Sequence, residues 1–174
     1  MLKKLKELPM PVAAAFLVVC ILAGVTLGNR NALVSAAQRP KAEYEALASL
    51  ALERGQKASN LLVIASRNAP DAPYTKKLAE TIESVKNAKS VREVAEADQA
   101  LTFAATAVEE ALSPAVTPQD KKLMTGVMDD LASAEHQLAR VAGRYNEAVL
   151  EVKTVHGKLP AKWLLHGALP EAYQ

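Results

Sequence analysis

An uncharged, apolar run over residues 10–28, MPVAAAFLVVCILAGVTLG, limits what this chain can fold into more than any other feature. A bilayer core is about 30 Å thick, so a spanning helix needs about 20 apolar residues. At about 1.5 Å per residue, the run forms a helix of roughly 28 Å. Pro9 and Pro11 lie at its start, where a proline removes no intrahelical hydrogen bond. We therefore predict a single transmembrane helix over 10–28, preceded by a basic flank over 1–9.

Three other interpretations compete with a permanent span. A cleaved signal peptide has the same basic flank, but this run is long for its apolar region and lacks an A-x-A cleavage site. A lipoprotein signal at Cys20 needs a small residue just ahead, where the chain has Leu17, Val18 and Val19. The last alternative is the buried core helix of a protein without a span. The permanent span fits the length and the flanks best.

Cys20, Gly24 and Gly28 fall four residues apart, on one stripe of the predicted span. Such small-xxx-small spacing allows two spanning helices to approach closely. Glycines are also common in membrane helices, so a stripe that simply faces lipid is the alternative. The expected partners are therefore membrane lipid and either a second copy of the chain or another membrane protein.

Composition and charge narrow the class of protein. Half of the residues are hydrophobic but only 4% are aromatic, a balance that favours closely packed helices over a β-rich core. The net charge of +2 lies in the basic flank, and a balanced remainder argues against nucleic-acid binding. The single cysteine lies in the apolar run, so we expect neither a disulfide framework nor a thiolate metal site.

Lysines and arginines on both sides of the run bear on its orientation. The basic residues within reach are Lys3, Lys4, Lys6, Arg30, Arg39 and Lys41. The N-terminal charges are the more tightly packed, so the positive-inside rule places the N-terminus in the cytoplasm and the main domain outside.

Helical spacing divides residues 29–174 into three long helices. The first follows from the span, with a kink or a restart at Pro40, and extends to the turn at 68–73. The second covers 74–112, with a possible break near 87–90, where Ser90-Val91-Arg92-Glu93 has the form of a capping box.

The third helix has the clearest pattern. Thr117 as N-cap and Pro118 at the first position predict its start. Its apolar seam steps by three or four residues through Leu123, Val127, Leu131, Ala134, Leu138, Val141, Tyr145, Ala148, Val152 and Val155. Short turns make the three helices antiparallel neighbours, and a short C-terminal helix is expected around 161–166.

No arrangement of residues indicates catalysis. The three histidines do not have metal-ligand spacing, and adjacent carboxylate pairs point about 100° apart on a helix. We therefore expect no enzyme activity, no cofactor and no metal. Arg54, Asn60, Tyr145 and Asn146 are polar positions within the apolar seams; they are either satisfied polar groups between helices or a small buried network that sets the helix register or a partner site.

Several motifs match those of one known family. Just after the predicted span, an N-x-L-V motif is matched by Asn31, Leu33 and Val34. Further along, Arg54 stands where a basic pair ends, and Asn60 and Leu61 match the asparagine and leucine of the L-I-P-N-L-V motif that follows this pair. On the third helix, E-N-R-I-A…Y-N-D-A-V is matched by Glu135, Leu138, Ala139, Tyr145, Asn146, Glu147, Ala148 and Val149. The ending F-P…P-x-x-Y is matched by Leu159, Pro160, Pro170 and Tyr173. In these motifs the chain resembles the LemA family of membrane-anchored bacterial proteins. Lys57-Ala58-Ser59 in place of L-I-P makes it a divergent member.

The resemblance implies an antiparallel helical bundle behind one N-terminal span in the bacterial cell membrane, and it supplies no catalytic residues. It also implies a short N-terminus outside the cell, opposite to the orientation that the flanking charges favour. Two functions follow as hypotheses. One is a structural or interaction component that acts as a scaffold or an oligomeric assembly. The alternative is a ligand-sensing or binding module with a pocket near Arg54, Asn60 and Tyr145.

Overall fold

A computed structural model describes residues 10–157 and 170–173, and helices account for most of them. The helices are α1 (Met10–Asn68), α2 (Pro73–Asn87), α3 (Val91–Leu112) and α4 (Pro118–Gly157). Of the described residues, 89% are helical and none lies in a strand, so the predicted all-α class is confirmed. The predicted helix around 161–166 lies outside the described residues.

α1 is a single helix of 59 residues that crosses the predicted boundary between residues 28 and 29. It also continues through Pro40, so it does not restart where the sequence suggests. Proline has no N–H to donate, and α1 forgoes one backbone hydrogen bond there. Pro40 is buried and lines an open depression with Tyr44, Tyr145 and Pro170. This packing helps to offset the lost hydrogen bond.

α1 divides into two parts with different surroundings. In the outer segment, residues 16–35, every side chain that the structure describes is exposed. In the inner segment, residues 36–68, one face is buried from Ala36 onward. The most apolar 18-residue window of the helix has a mean hydropathy of 1.6 and no buried residue. α1 is therefore long and apolar enough to cross a membrane, a property that it shares with signal sequences but, because it is exposed, not with a core helix.

The predicted second helix over 74–112 is in fact two helices, α2 and α3, because the chain turns at 88–90. Ser90 caps α3, its Oγ accepting a hydrogen bond from the backbone N–H of Glu93 at 3.2 Å. The Glu93 carboxylate accepts in return from the backbone N–H of Lys89 at 2.6 Å. The reciprocal bonds are close to those of a capping box, and they account for the break.

α2 and α3 form an antiparallel hairpin, since Tyr74 near the start of α2 lies beside Phe103 in the middle of α3. The described residues therefore form four helices and not three. α4 runs antiparallel to α1, because positions that rise along α1 pair with positions that fall along α4. The ion pairs that show this are Glu43–Arg144 at 3.1 Å, Arg54–Glu135 at 2.6 Å and Arg67–Asp120 at 3.2 Å.

The start of α4 is the one predicted from its cap. Thr117 Oγ1 accepts from the backbone N–H of Asp120 at 3.1 Å, and Pro118 is the first helical residue. One seam position is wrong, however: Leu123 is exposed, and the adjacent Met124 is buried. Counting back seven residues from the buried Leu131 leads to Met124, so the heptad spacing of this seam decides between the two.

The core lies where the inner segment of α1 meets the other three helices. Its largest fully buried side chains are Leu47, Leu61, Leu78, Ile82, Leu101, Val108, Met124, Leu138 and Val149. Because every helix contributes to this list, the helices bury one common apolar interior. The candidate site lies where a buried charged residue, Arg54, interrupts that apolar interior.

Candidate functional site

Arg54 is the centre of the candidate site, a charged residue of the inner segment that is only 2% exposed. Its Nε donates to the backbone carbonyl of Leu131 at 3.4 Å. Nη1 donates to both the backbone carbonyl and the carboxylate of Asp98. Nη2 donates to Thr102 Oγ1 at 2.8 Å and to Glu135 Oε2 at 2.6 Å. A guanidinium has five N–H donors, and all five are occupied here.

The partners of Arg54 come from α3 and α4, so this one side chain holds three helices at a common level. A buried charge is costly unless it is paired and hydrogen-bonded. The Asp98 side chain is 12% exposed and that of Glu135 is 48% exposed. The pair therefore has one largely buried carboxylate and one that reaches the surface. The arrangement fixes which residues of α3 and α4 face Arg54, and thus the register of both helices on α1.

The two carboxylates around Arg54 affect each other. Burial raises the pKa of Asp98 above its ordinary value, and the neighbouring Arg54 guanidinium, which lowers the pKa, does not fully compensate. The Glu135 carboxylate raises the pKa of Asp98 further, because a second negative charge disfavours ionisation of the first. The native state therefore holds a proton on Asp98 more readily than the unfolded chain does.

The 170–173 segment closes one side of this cluster. Asn146 on α4 holds Tyr173 at two points, because its Nδ2 donates to the Tyr173 carbonyl at 3.0 Å and its Oδ1 accepts from the Tyr173 N–H at 2.8 Å. The hydroxyl of Tyr145 donates to the carbonyl oxygen of Glu171 at 2.8 Å. The adjacent residues Tyr145 and Asn146 therefore bind the backbone of the segment.

The Tyr173 side chain extends from this segment to the Arg54 cluster. Its hydroxyl lies close enough to the Asp98 carboxylate for the two groups to affect each other's pKa. Burial raises the pKa of Tyr173 well above its ordinary value, and the charge of Asp98 raises it further, while Arg54 lowers it. Tyr173 therefore remains a neutral hydrogen-bond donor at physiological pH.

A cavity of about 160 Å³ lies beside Arg54, between α1, α3 and α4. Its polar lining comes from Arg54, Thr102, Thr106 and Glu135, and the remaining lining residues are mostly apolar. Arg54 has no N–H left for a ligand, because its five donors are bonded within the protein. In the part of the chain that the structure describes, no buried side-chain nitrogen or oxygen lacks a hydrogen-bond partner. The geometry therefore fits a network that holds helices together.

No family model and no curated protein matches the chain. Among the described residues, no three histidine, cysteine, aspartate or glutamate side chains come together as a metal-binding group. The contacts described above are therefore what indicates a function.

Five residues singled out in the sequence belong either to the Arg54 cluster or to the contacts that hold the 170–173 segment beside it. They are Arg54, Glu135, Tyr145, Asn146 and Tyr173. Leu61 is in the apolar core, while Asn60 is exposed on α1 and does not line the cavity. The predicted pocket near Arg54, Asn60 and Tyr145 is therefore not one site.

The remaining predicted residues lie elsewhere. Asn31 and Val34 are exposed on α1, and Cys20, Gly24 and Gly28 are exposed on its outer segment. A methyl group added at Gly24 or Gly28 would meet nothing within 4 Å. The side chain of Leu33 and the whole of Pro160 lie outside the described residues.

Sequence reasoning missed Asp98 and Thr102, which complete the Arg54 cluster. The signal for Asp98 was present: this carboxylate follows Ala97 directly and lies between the seam residues Val94 and Leu101. A carboxylate within an apolar seam is rarely buried unless it is paired. A search for a basic residue in a facing seam would have paired it with Arg54.

Proposed function

We propose that this chain is a single-pass membrane protein whose helices act as a scaffold or an oligomeric assembly, without catalysing a reaction. The observation that supports this function is the form of α1. Its outer segment exposes large apolar side chains such as Phe16, Leu17 and Val19, 60–62% exposed. The same helix then enters the core and holds α3 and α4 through Arg54. The proposed anchor and the first of the packed helices are thus one continuous element.

This continuity gives association in the membrane a direct effect on the rest of the protein. Contiguous exposed apolar surface marks contact with lipid or with another protein. The two glycines of the outer segment leave open space for a second helix. Because α1 has no break between residues 28 and 29, two associated anchors would bring the packed helices of both copies together.

Membership of the LemA family and a place in the bacterial cell membrane are part of the same proposal. The Arg54 cluster, which includes Glu135, lies beside the contacts that Tyr145 and Asn146 make with the 170–173 segment, and this supports treating the motifs that contain these residues as one structural unit. The flanking lysines support an orientation with the packed helices outside the cytoplasm.

Native mass spectrometry of the full chain in lipid nanodiscs tests this function. We expect oligomers, and we expect Gly24→Leu combined with Gly28→Leu to change their size, since leucine side chains would keep the helices apart. Ala23→Leu, one residue away from the stripe, is the matched control and should leave the size unchanged. A monomer in lipid, together with no partner captured by cross-linking in membranes, would contradict the proposal.

A ligand-sensing module is the second candidate function, and the cavity beside Arg54 is the observation that favours it. A ligand that binds only the folded protein raises its thermal unfolding temperature by mass action. A thermal-shift screen with small polar and apolar compounds is the appropriate measurement. Absence of any stabilisation across a broad library would count against this function.

A further inference from the structure

The α2–α3 hairpin is joined to the rest of the chain at one end only. The turns at 69–72 and 113–117 connect it to α1 and to α4. Both turns lie at the same end of the fold, because α1 and α4 are antiparallel and Arg67 pairs with Asp120 there. The opposite end of the hairpin, the turn at 88–90, lies about 33 Å away, which is the length of the 22 residues of α3. We call this turn the free end.

The described helices hold the hairpin unevenly. α1 packs against each of the other three helices, whereas α3 and α4 scarcely contact each other. The hydrogen bonds of Arg54 link these two helices at Asp98 and Glu135. Asp98 is about two helical turns from Val91, the first residue of α3. The Arg54 network therefore holds the middle of α3 and leaves the free end to other contacts.

The 170–173 segment lies against the free end and the start of α3. Pro170 lines an open depression together with Ser90 and Val91. Glu171 lines a second groove together with Arg92, and their opposite charges add a little stability at the surface. The segment therefore contacts the hairpin at the end that has no covalent connection to α1 or α4.

The same segment is fixed to α4. Asn146 bonds both the N–H and the carbonyl of Tyr173, and the Tyr145 hydroxyl bonds the carbonyl of Glu171. The Tyr173 side chain packs against the apolar core. The segment therefore ties α4 to the start of α3, where direct packing between the two helices is scarce.

We propose that the 170–173 segment is a releasable strap that keeps the α2–α3 hairpin closed on α1 and α4. When the segment detaches from α4, the hairpin opens at the free end, with its two connecting turns as hinges. Local opening often involves a whole supersecondary motif, and α2 and α3 pack against each other, so they move together. Opening uncovers buried apolar residues of the hairpin, such as Val85 and Val94. It requires neither a bilayer nor a second copy, so it goes beyond the proposed function and does not depend on it.

Hydrogen–deuterium exchange of the full chain in detergent, measured by mass spectrometry, tests this opening. Asn146→Ala removes both hydrogen bonds to Tyr173, which corresponds to a factor of about ten or more in the open population. Short helices without tertiary packing are marginal in water, so the amides of an opened hairpin exchange faster. We expect exchange over residues 80–98 to accelerate roughly tenfold. Exchange over 50–67 of α1 and 121–142 of α4 should change less than about twofold.

Two further variants show whether the effect follows the strength of the attachment. Tyr145→Phe removes only the hydrogen bond to Glu171 and keeps the buried ring, so exchange over 80–98 should accelerate about threefold. Leu150→Ala, on the exposed face of α4, is the matched control and should leave exchange unchanged.

A cross-link at the free end separates opening from a general loss of stability. Lys41 and Lys89 are exposed and line the same depression. In a Cys20→Ser background, Lys41→Cys and Lys89→Cys are joined by a short thiol-reactive cross-linker, which ties the free end to α1. With this link in place, we expect Asn146→Ala to leave exchange over 80–98 as slow as it is in the linked protein that retains Asn146.

Three results would overturn the inference. One is exchange over 80–98 that Asn146→Ala does not change. The second is an equal acceleration in all four helices, since the segment would then support the whole fold and not the closure of the hairpin. The third is faster exchange that persists after cross-linking, because the amides would then be exposed without any opening at the free end.

Discussion

The outer and inner segments of α1 have the same secondary structure and opposite surroundings. In the outer segment Phe16 is 62% exposed, whereas in the inner segment the charged Arg54 is 2% exposed. An apolar surface that is exposed and a charge that is buried reverse the usual preference of each residue type. In the inner segment, the buried charge of Arg54 is compensated because all five of its guanidinium N–H donors are hydrogen-bonded. Among the described residues nothing covers the apolar surface of the outer segment, which is long and apolar enough to cross a membrane.

The largest expected difference between the two segments concerns their arginines. Arg54→Met should lower the free energy of unfolding by about 3–5 kcal/mol, because it leaves the buried carboxylate of Asp98 without its partner. Arg30→Met in the exposed outer segment should change it by less than about 0.5 kcal/mol. Urea unfolding of the full chain in detergent, followed by circular dichroism, measures both. A loss below 1 kcal/mol for Arg54→Met would show that the network does not hold the helices together.

Leucine truncation gives the next largest contrast. Leu61 is fully buried in the inner segment and Leu17 is 60% exposed in the outer one. Leu61→Ala should cost about 2–5 kcal/mol, since it leaves a cavity in the core, whereas Leu17→Ala should leave the unfolding of the packed helices unchanged. The same urea titration compares the two. Equal losses would mean that the outer segment packs against the protein in solution.

Glycines in the two segments should respond differently to a larger side chain. A Cβ at Gly55 would lie 3.3 Å from Val85 Cγ1, whereas one at Gly24 would meet nothing within 4 Å. Gly55→Val should destabilise the fold by about 1–3 kcal/mol through overpacking against α2, and Gly24→Val should not. Thermal unfolding in detergent is the measurement, and a neutral Gly55→Val would show that α2 moves freely away from α1.

The smallest expected effect is one of pH, and it belongs to the inner segment alone, since the outer one has no acidic residue. The raised pKa of Asp98 means that the native state binds this proton more tightly than the unfolded chain. Its contribution to stability is therefore complete below about pH 3.9, the ordinary value for aspartate, and is lost as the pH rises through the folded pKa. The stability of the wild type relative to Asp98→Asn should fall over this range. A relative gain with rising pH would show that attraction to Arg54 outweighs burial.

Local features of the fold were predictable from the sequence. The caps at Ser90 and Thr117 depend on residues three positions apart, so the break at 88–90 and the start of α4 can be read from short stretches. The buried face of the inner segment follows from helical spacing in the same way. The choice between Leu123 and Met124 needed the heptad extended over the whole of α4.

The candidate site was predictable only in part, because its contacts join distant positions. Arg54 lies 44 residues from Asp98 and 81 from Glu135. Periodicity gives the face on which each residue lies, but not the register between helices. The two hydrogen bonds between Asn146 and the backbone of Tyr173 are harder still to predict. They involve a segment without regular structure, and bonds to a backbone leave no pattern in the sequence.

The unbroken course of α1 through Pro40 has a mechanical consequence. Residues 29–68 extend about 60 Å beyond the proposed span at about 1.5 Å per residue. Spanning helices tilt by about 20° on average, and they adjust this tilt to the thickness of the bilayer. A tilt of that size would move the far end of α1 sideways by about 20 Å. For a helix that crosses the bilayer in this way, a small change in membrane thickness would therefore produce a large displacement at the end where α1 meets α2.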